Sequence, residues 1–296
     1  MKQSLVEIPC PICACTDYRI YLPDSLGDSI PVFGYKWTKE VGKSYRYVRC
    51  ICCHHIYASP IHRDIPSFYE DVSDGSYQSN SEIRKATAEN VLRDIVAIKP
   101  NGRLLDVGCA TGDFIEIASR TFVSSGLELS RWALDICREK GLDVHDLMLE
   151  DFLKTTNDKF DVITIWGVIE HMEDPRREIA IAKELLAKDG ILCIWTGDSD
   201  SFYAKILKHR WWYVMGQHLQ LFSRKSLNRL LANVGFELIR EKNYPYVISM
   251  DYLGKRLGSY WFGKYLRYIT SYKIWRNFTF KLEMSDQIFS IYRKVD

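Results

Sequence analysis

The sequence predicts an α/β protein: a doubly wound parallel sheet with a small cysteine-rich module at its N-terminal end. Three observations predict it. Leu104, Leu105 and Val107 form a short apolar run that breaks into a turn punctuated by Gly108 and Gly112, after which 114–118 resumes at helical spacing. Strand-like and helix-like segments then alternate as far as Trp195, the rhythm of a sheet covered on both faces. Before all of this stand Cys10-Pro-Ile-Cys13 and Cys50-Ile-Cys-Cys53, two C-x2-C knuckles.

Taken in order, residues 1–60 read as a zinc-ribbon-like module. Cys10, Cys13, Cys50 and Cys53 can place four thiolates around one structural Zn²⁺, a closed set with no position for a reactant. Cys15 and Cys52 compete for the same register, whereas His54 and His55 read as surface or packing residues. Residues 61–101 read as a linker and leading helix. Apolar positions recur at helical spacing over 82–98, and Pro100-Asn101-Gly102 stops the helix. In the main domain, 102–296, the strand 122–129 ends in Glu128, 20 residues beyond Gly108. Glycine-turn folds place an acid for ribose hydroxyls at that distance. Ser130 caps a helix 132–140; a short strand follows at 142–144 and a buried one at 160–166. A helix 175–188 ends at Asp189-Gly190 before a fifth strand, 191–195.

With 47% hydrophobic and 26% charged residues the composition is that of a soluble globular protein. A net charge of +2 argues against a surface that coats nucleic acid. No apolar run reaches the roughly 18 residues of a membrane span, and the first residues lack a signal-peptide core, so a cytoplasmic location is expected. Nine cysteines in such a setting point to metal binding rather than disulfides.

Four blocks stand in a set order: Leu104-Leu-Asp-Val-Gly-Cys-Ala-Thr-Gly112, then Gly126-Leu-Glu128-Leu-Ser130, then Phe160-Asp-Val-Ile163 through Ile169-Glu-His-Met-Glu-Asp-Pro175, then Asp189-Gly-Ile-Leu192. With them, residues 102–240 resemble a class I S-adenosylmethionine-dependent methyltransferase. The Gly108-x3-Gly112 spacing departs from the dinucleotide pattern G-x-G-x-x-G. The cysteine module with Gln217-His-Leu-Gln-Leu-Phe-Ser223 and Asn233-Val-Gly-Phe236 resembles the subgroup linked to sugar and glycan biosynthesis.

The resemblance implies a seven-stranded Rossmann-like sheet, with 235–240 as sixth strand and 285–292 as an antiparallel seventh. It implies S-adenosyl-L-methionine as cofactor and a role for each matching residue. Asp106 approaches the methionine ammonium, and Gly108, Cys109, Ala110 and Gly112 pass beneath the methionine and ribose. Glu128 takes the ribose hydroxyls. The adenine lies near Leu129, Leu149 and either Glu150 or Asp151, and Trp166 and Gly167 close the pocket near the sulfonium.

Methyl transfer needs alignment above all, with a base where the acceptor is a hydroxyl or an acidic carbon. His171, at the carboxyl edge of the sheet, and His218, in an aromatic stretch after the fifth strand, are the candidates. Information on the acceptor lies in 69–77, 211–218 and an aromatic, basic insertion at 244–280. From Phe236 to the end Lys and Arg exceed Asp and Glu by five, which suits a lid or dimer contact, a peripheral membrane contact, or an anionic glycan acceptor. The expected function is O- or C-methylation of a small-molecule or carbohydrate-type acceptor in glycan or secondary-metabolite biosynthesis. The rivals are an RNA methyltransferase docking RNA through the zinc module and a non-catalytic cofactor-binding scaffold.

Overall fold

The computed structural model describes residues 5–27, 29–34, 41–63, 65–250, 279–283 and 285–295. Three short strands come first, β1 (Tyr18–Leu22), β2 (Tyr47–Cys50) and β3 (Ile56–Ala58), paired antiparallel. After the single turn α1 (Gly75–Gln78), helix α2 (Ser81–Val96) leads into β4 (Arg103–Val107). Then follow α3 (Asp113–Ala118), β5 (Val123–Leu127), α4 (Arg131–Glu139) and β6 (Val144–His145). Next come α5 (Leu149–Thr155), β7 (Phe160–Trp166), α6 (Pro175–Leu185) and β8 (Leu186–Gly197). The last part holds α7 (Phe202–Leu207), β9 (Gln220–Leu221), α8 (Arg224–Val234), β10 (Phe236–Lys242), β11 (Pro245–Ser249), β12 (Thr279–Glu283) and β13 (Gln287–Lys294).

Seven strands form the main sheet in the order β10-β13-β8-β7-β4-β5-β6. β4 to β8 run parallel and β13 runs antiparallel to both of its neighbours. Leu104, Leu105, Val162, Ile163, Leu192 and Ile194 are fully buried, because helices cover both faces of these central strands. Strand order reverses beside β4, so the carboxyl ends of β4 and β7 open a crevice there.

Local chemistry explains several boundaries. Ser130 caps α4 by accepting from Ala133 N–H, as expected, and Ser223 caps α8 in a reciprocal box with Ser226. Helix α6 ends at Leu185, short of the expected 188. The buried Leu186 instead pairs with Phe160, and the register jumps to Ile191 opposite Val162, so the turn at Asp189-Gly190 lies inside β8. The insertion leaves the main sheet as the two-stranded ribbon β11-β12, which packs on α2 with Val247 N–H donating to Thr87 Oγ1 at 2.9 Å. The rest of the expected 244–280 segment, 251–278, lies outside the described residues. No helix among the described residues is long and apolar enough to cross a membrane.

The N-terminal strands continue into the main domain. β9 pairs with β3, completing a four-stranded sheet in which residues 220–221 of the main domain join the N-terminal strands. Ile12, Val48 and Tyr57 share one hydrophobic cluster with Leu105, Ile163, Ile194 and Phe222. His55, which the sequence assigned to surface or packing, is buried and bonds to Gln220 Oε1 at 2.9 Å.

Candidate active site

A cleft of about 2160 Å³ opens along the carboxyl edge of the sheet. One end is built on the turn after β4. Gly108 and Gly112 lie at φ +71° and +74°, the left-handed region that favours glycine, and a Cβ on Gly108 would stand 2.5 Å from Val168. Ala110 shares that region at φ 47°. The turn is held to the next strand by Gly108 and Cys109 N–H groups, both donating to Leu127 O. Cys109 is buried under the turn against Gly126, where a larger side chain has no room.

Two carboxylates face this turn. Asp106, 1% exposed, accepts from Thr164 Oγ1 at 2.6 Å. Burial pushes its carboxyl up to about 7, with Thr164 opposing and the Glu128 charge adding to the rise. Glu128 accepts from the N–H groups of Ala110, Leu129 and Ser130, each at 2.8 Å. Burial raises its carboxyl, against the pull of those three amides. Neither acid has a cationic side chain as partner among the described residues. Asp113, which the sequence reading missed, is neutralised instead by Arg84 and Lys140. Thr111 Oγ1 and Trp166 Nε1 are buried without a partner, and both residues line the cleft. Unpaired acids and orphaned polar atoms around a glycine turn fit a ligand that carries a positive charge and hydroxyls. S-adenosyl-L-methionine is such a ligand.

Leu129, Leu149, Glu150 and Gly167 also line the cleft. Asp151 does not: it lies on the outer side of α5, exposed and paired with Lys154 at 2.8 Å. The helical turn separates it from Glu150, which meets Arg177 at 2.6 Å. Trp166 packs edge-on to Phe114 with ring centres 5.1 Å apart.

The far end is assembled from segments that sequence spacing does not relate. Glu170 and His171 follow β7, His218 precedes β9, and one ligand atom from each lies within 4.8 Å of the others. Glu170 is buried and accepts from Thr196 Oγ1 at 2.9 Å. Burial lifts its carboxyl to about 7. Burial also drops His171 to about 4 and His218 well below its ordinary value. Tyr47 of the N-terminal sheet fixes the His218 segment by donating to His218 O at 2.6 Å, and Gln217 bonds both ways with the Gly34 backbone. Tyr69 OH lies 2.7 Å from His171 Nδ1. Trp195, stacked on Tyr244 at 4.7 Å, makes an aromatic wall with Tyr246. Thr164 and Glu170 had a faint signal, a polar residue within or at the end of an apolar strand. Tyr244 opens the aromatic insertion to which the sequence assigned acceptor information, and Trp195 had no signal.

Against the expectation of metal binding rather than disulfides, Cys15 and Cys52 of the N-terminal module are joined as a disulfide and so do not compete as ligands, while Cys10, Cys13, Cys50 and Cys53 remain free. Those four sulfurs lie within 4.8 Å of one another, with Cys10 Sγ 3.4 Å from Cys53 Sγ and Cys13 Sγ 3.6 Å from Cys50 Sγ. The donor set fits a tetrahedral zinc ion.

A glycine turn after the central strand, an acid after its neighbour and an antiparallel last strand define a Rossmann-like nucleotide-cofactor enzyme. The protein family described as a methyltransferase domain matches residues 78–241, more than half of the chain, and the chain belongs to that family. It is an S-adenosylmethionine-dependent methyltransferase. An uncharacterized protein of Methanocaldococcus jannaschii is 28% identical over 189 residues, 64% of this chain and 85% of that protein. A ubiquinone biosynthesis O-methyltransferase of Actinobacillus pleuropneumoniae is 31% identical over 140 residues, 42% of this chain and 60% of the relative's length. A SAM-dependent methyltransferase from Archaeoglobus fulgidus shares the fold at a TM-score of 0.51 and 17% identity, covering 75% of this chain and 100% of that one.

Proposed function

We propose that this enzyme methylates a small-molecule or carbohydrate-type acceptor, at oxygen in the first instance and at carbon in the second. One observation carries the reading: a single cleft joins the two unpaired carboxylates at β4 and β5 to the histidine cluster beyond β7. The relatives named for ubiquinone biosynthesis O-methylation support an oxygen acceptor of small size.

S-adenosyl-L-methionine supplies a methyl group activated on its sulfonium. Asp106 faces the ligand's ammonium, and the Gly108–Gly112 backbone lets the chain approach it closely. Glu128, its orientation locked by three amides, keeps a lone pair on Oε2 for the ribose hydroxyls. Leu129, Leu149 and Glu150 border the adenine, and Trp166 and Gly167 bound the methyl-bearing end. Beyond them the acceptor's reacting atom meets Glu170, His171 and His218, where its proton is given up. The Trp195 and Tyr244 wall excludes water from that step, and aromatic faces suit a sugar ring or a quinol ring. In the module, Cys10, Cys13, Cys50 and Cys53 hold a structural zinc, bracing the sheet from which Tyr47 reaches the His218 segment.

Calorimetric titration of the full chain with S-adenosylmethionine tests the cofactor end. Saturable binding that Glu128→Ala weakens about tenfold or more, the worth of a charge-assisted bond, supports the reading. No saturable binding, or binding untouched by that substitution, overturns it.

A further inference from the structure

We propose that α7 and the turn after it form a docking face for an anionic lipid bilayer, which sets the mouth of the cleft against the headgroups. Ser201 caps α7 by accepting from Ala204 N–H. Ala204, 1% exposed, and Leu207 beside it seat the helix on the cluster of Trp211, Tyr213 and Leu219. That seating turns the opposite side outward. Phe202 and Ile206, one helical turn apart, are 69% and 60% exposed, and Tyr203 next to them is 39% exposed. Single exposed apolar residues are ordinary, but three large ones on a helix of six residues make a patch.

Positive charge rims the patch. Lys205, Lys208, His209 and Arg210 are all exposed. Lys205 shares its charge with Asp200 at 3.6 Å, whereas Lys208 and Arg210 meet no acid within ion-pair distance among the described residues. Aromatic rings then lead inward. Phe202 meets Tyr203 with ring centres 6.0 Å apart, and Tyr203 meets Trp212 at 6.1 Å. Trp212 and Arg210 line the cleft, in the stretch that ends at His218. The patch is continuous with the acceptor end.

A bilayer answers both halves of this surface. Phe and Ile side chains leave water for the acyl boundary, Tyr and Trp rings suit the interface itself, and Lys and Arg meet anionic headgroups. A second copy of the chain does not. A twofold contact would set one basic rim against the other. A helix of six residues, about 9 Å long, also falls far short of the roughly 800 Å² per partner of a standard interface. A lipid-borne acceptor reaches the cleft without leaving the membrane surface; that use, unlike the docking itself, rests on the acceptor end proposed above.

Co-sedimentation of the full chain with vesicles reads docking directly. Binding is expected to vesicles of phosphatidylcholine and phosphatidylglycerol in equal parts, about tenfold or more tighter than to phosphatidylcholine alone, and weaker as salt rises. Phe202→Ser with Ile206→Ser should weaken it about tenfold or more while leaving S-adenosylhomocysteine affinity within about twofold. Lys208→Glu with Arg210→Glu should weaken it by a similar factor. Val123→Ser, which trims an equally exposed side chain at the amino end of β5, away from the cleft, should change nothing. Wild-type protein that stays in solution with the mixed vesicles overturns the proposal. So does equal binding by wild type and both double variants. A wild-type dimer that Phe202→Ser with Ile206→Ser splits, with vesicles binding neither form, overturns it too and gives the face to a second copy. S-adenosylhomocysteine binding by wild type, measured in parallel, separates the two readings: its absence removes the cofactor site and leaves the vesicle result to stand alone.

Discussion

Asp106 is the residue whose environment makes the sharpest statement. Its carboxyl, held in the strand end under Thr164, keeps a proton up to about pH 7 in the free protein. A cationic ligand favours the ionised form, so binding below that pH must release the proton. S-adenosylmethionine affinity is therefore expected to climb by up to tenfold per pH unit as pH rises toward about 7, then level off. Calorimetry across that range checks it, and Asp106→Asn removes the slope; a slope that survives the substitution sinks the assignment. The histidines at the other end titrate in the opposite sense. Both are neutral at pH 7 because burial disfavours the imidazolium. His218→Ala is expected to lower turnover at saturating acceptor by about a hundredfold or more, the scale of a lost proton-transfer aid, while leaving cofactor affinity within twofold.

The turn after β4 and the cap of α8 are where single substitutions act on whole elements. Gly108→Ala forces a side chain into a left-handed backbone and against Val168, and is expected to cost about 1–3 kcal/mol together with most cofactor affinity. Gly75→Ala in α1 meets nothing within 4 Å and is expected to be neutral or mildly stabilising in the same urea titration. Equal effects of the two would remove the conformational account. Ser223→Ala removes the half of the capping box in which Ser223 Oγ accepts from Ser226 N–H and should cost about 1 kcal/mol, read as a shifted denaturation midpoint.

At the scale of the molecule, β9 and the shared hydrophobic cluster make the N-terminal module a wall of the catalytic domain. His55 sits at that junction between Gln220 and Ser226, and burial depresses it to about 4 from its ordinary 6.5. The unfolded chain takes up a proton on this residue as pH falls below 6.5, and the folded chain does not until about 4. Its contribution, on the order of 3 kcal/mol, is complete above 6.5 and lost as pH drops through that window. His171 and His218 add in the same direction. Thermal melts between pH 7 and about 4 should fall steeply, and His55→Gln should flatten the fall; parallel curves would show that the junction does not carry it. A chelator that strips the zinc proposed for the cysteine module should lower the melting temperature of the whole chain in one transition, since one hydrophobic cluster joins the two parts.

By itself the sequence determined the alternation of strands and helices from 103 to 195 and the glycine turn with its two acids. The reason is range: apolar runs, the Ser130 cap and the Gly108 turn act over a few residues, and Asp106 and Glu128 ride at the ends of adjacent strands. Residue-scale choices inside an element were less legible. Glu150 and Asp151 are neighbours in sequence, and only the rotation of α5 sends one to the rim of the cleft and the other to its outer, exposed side. His171 and His218 were each legible as candidates, but only the tertiary structure brings them together. His171 is held by the backbone of Gln217, 46 residues away, and His218 by a tyrosine of the N-terminal sheet. Contacts of that separation come from packing layers against one another, which leaves no period or spacing in the chain to read.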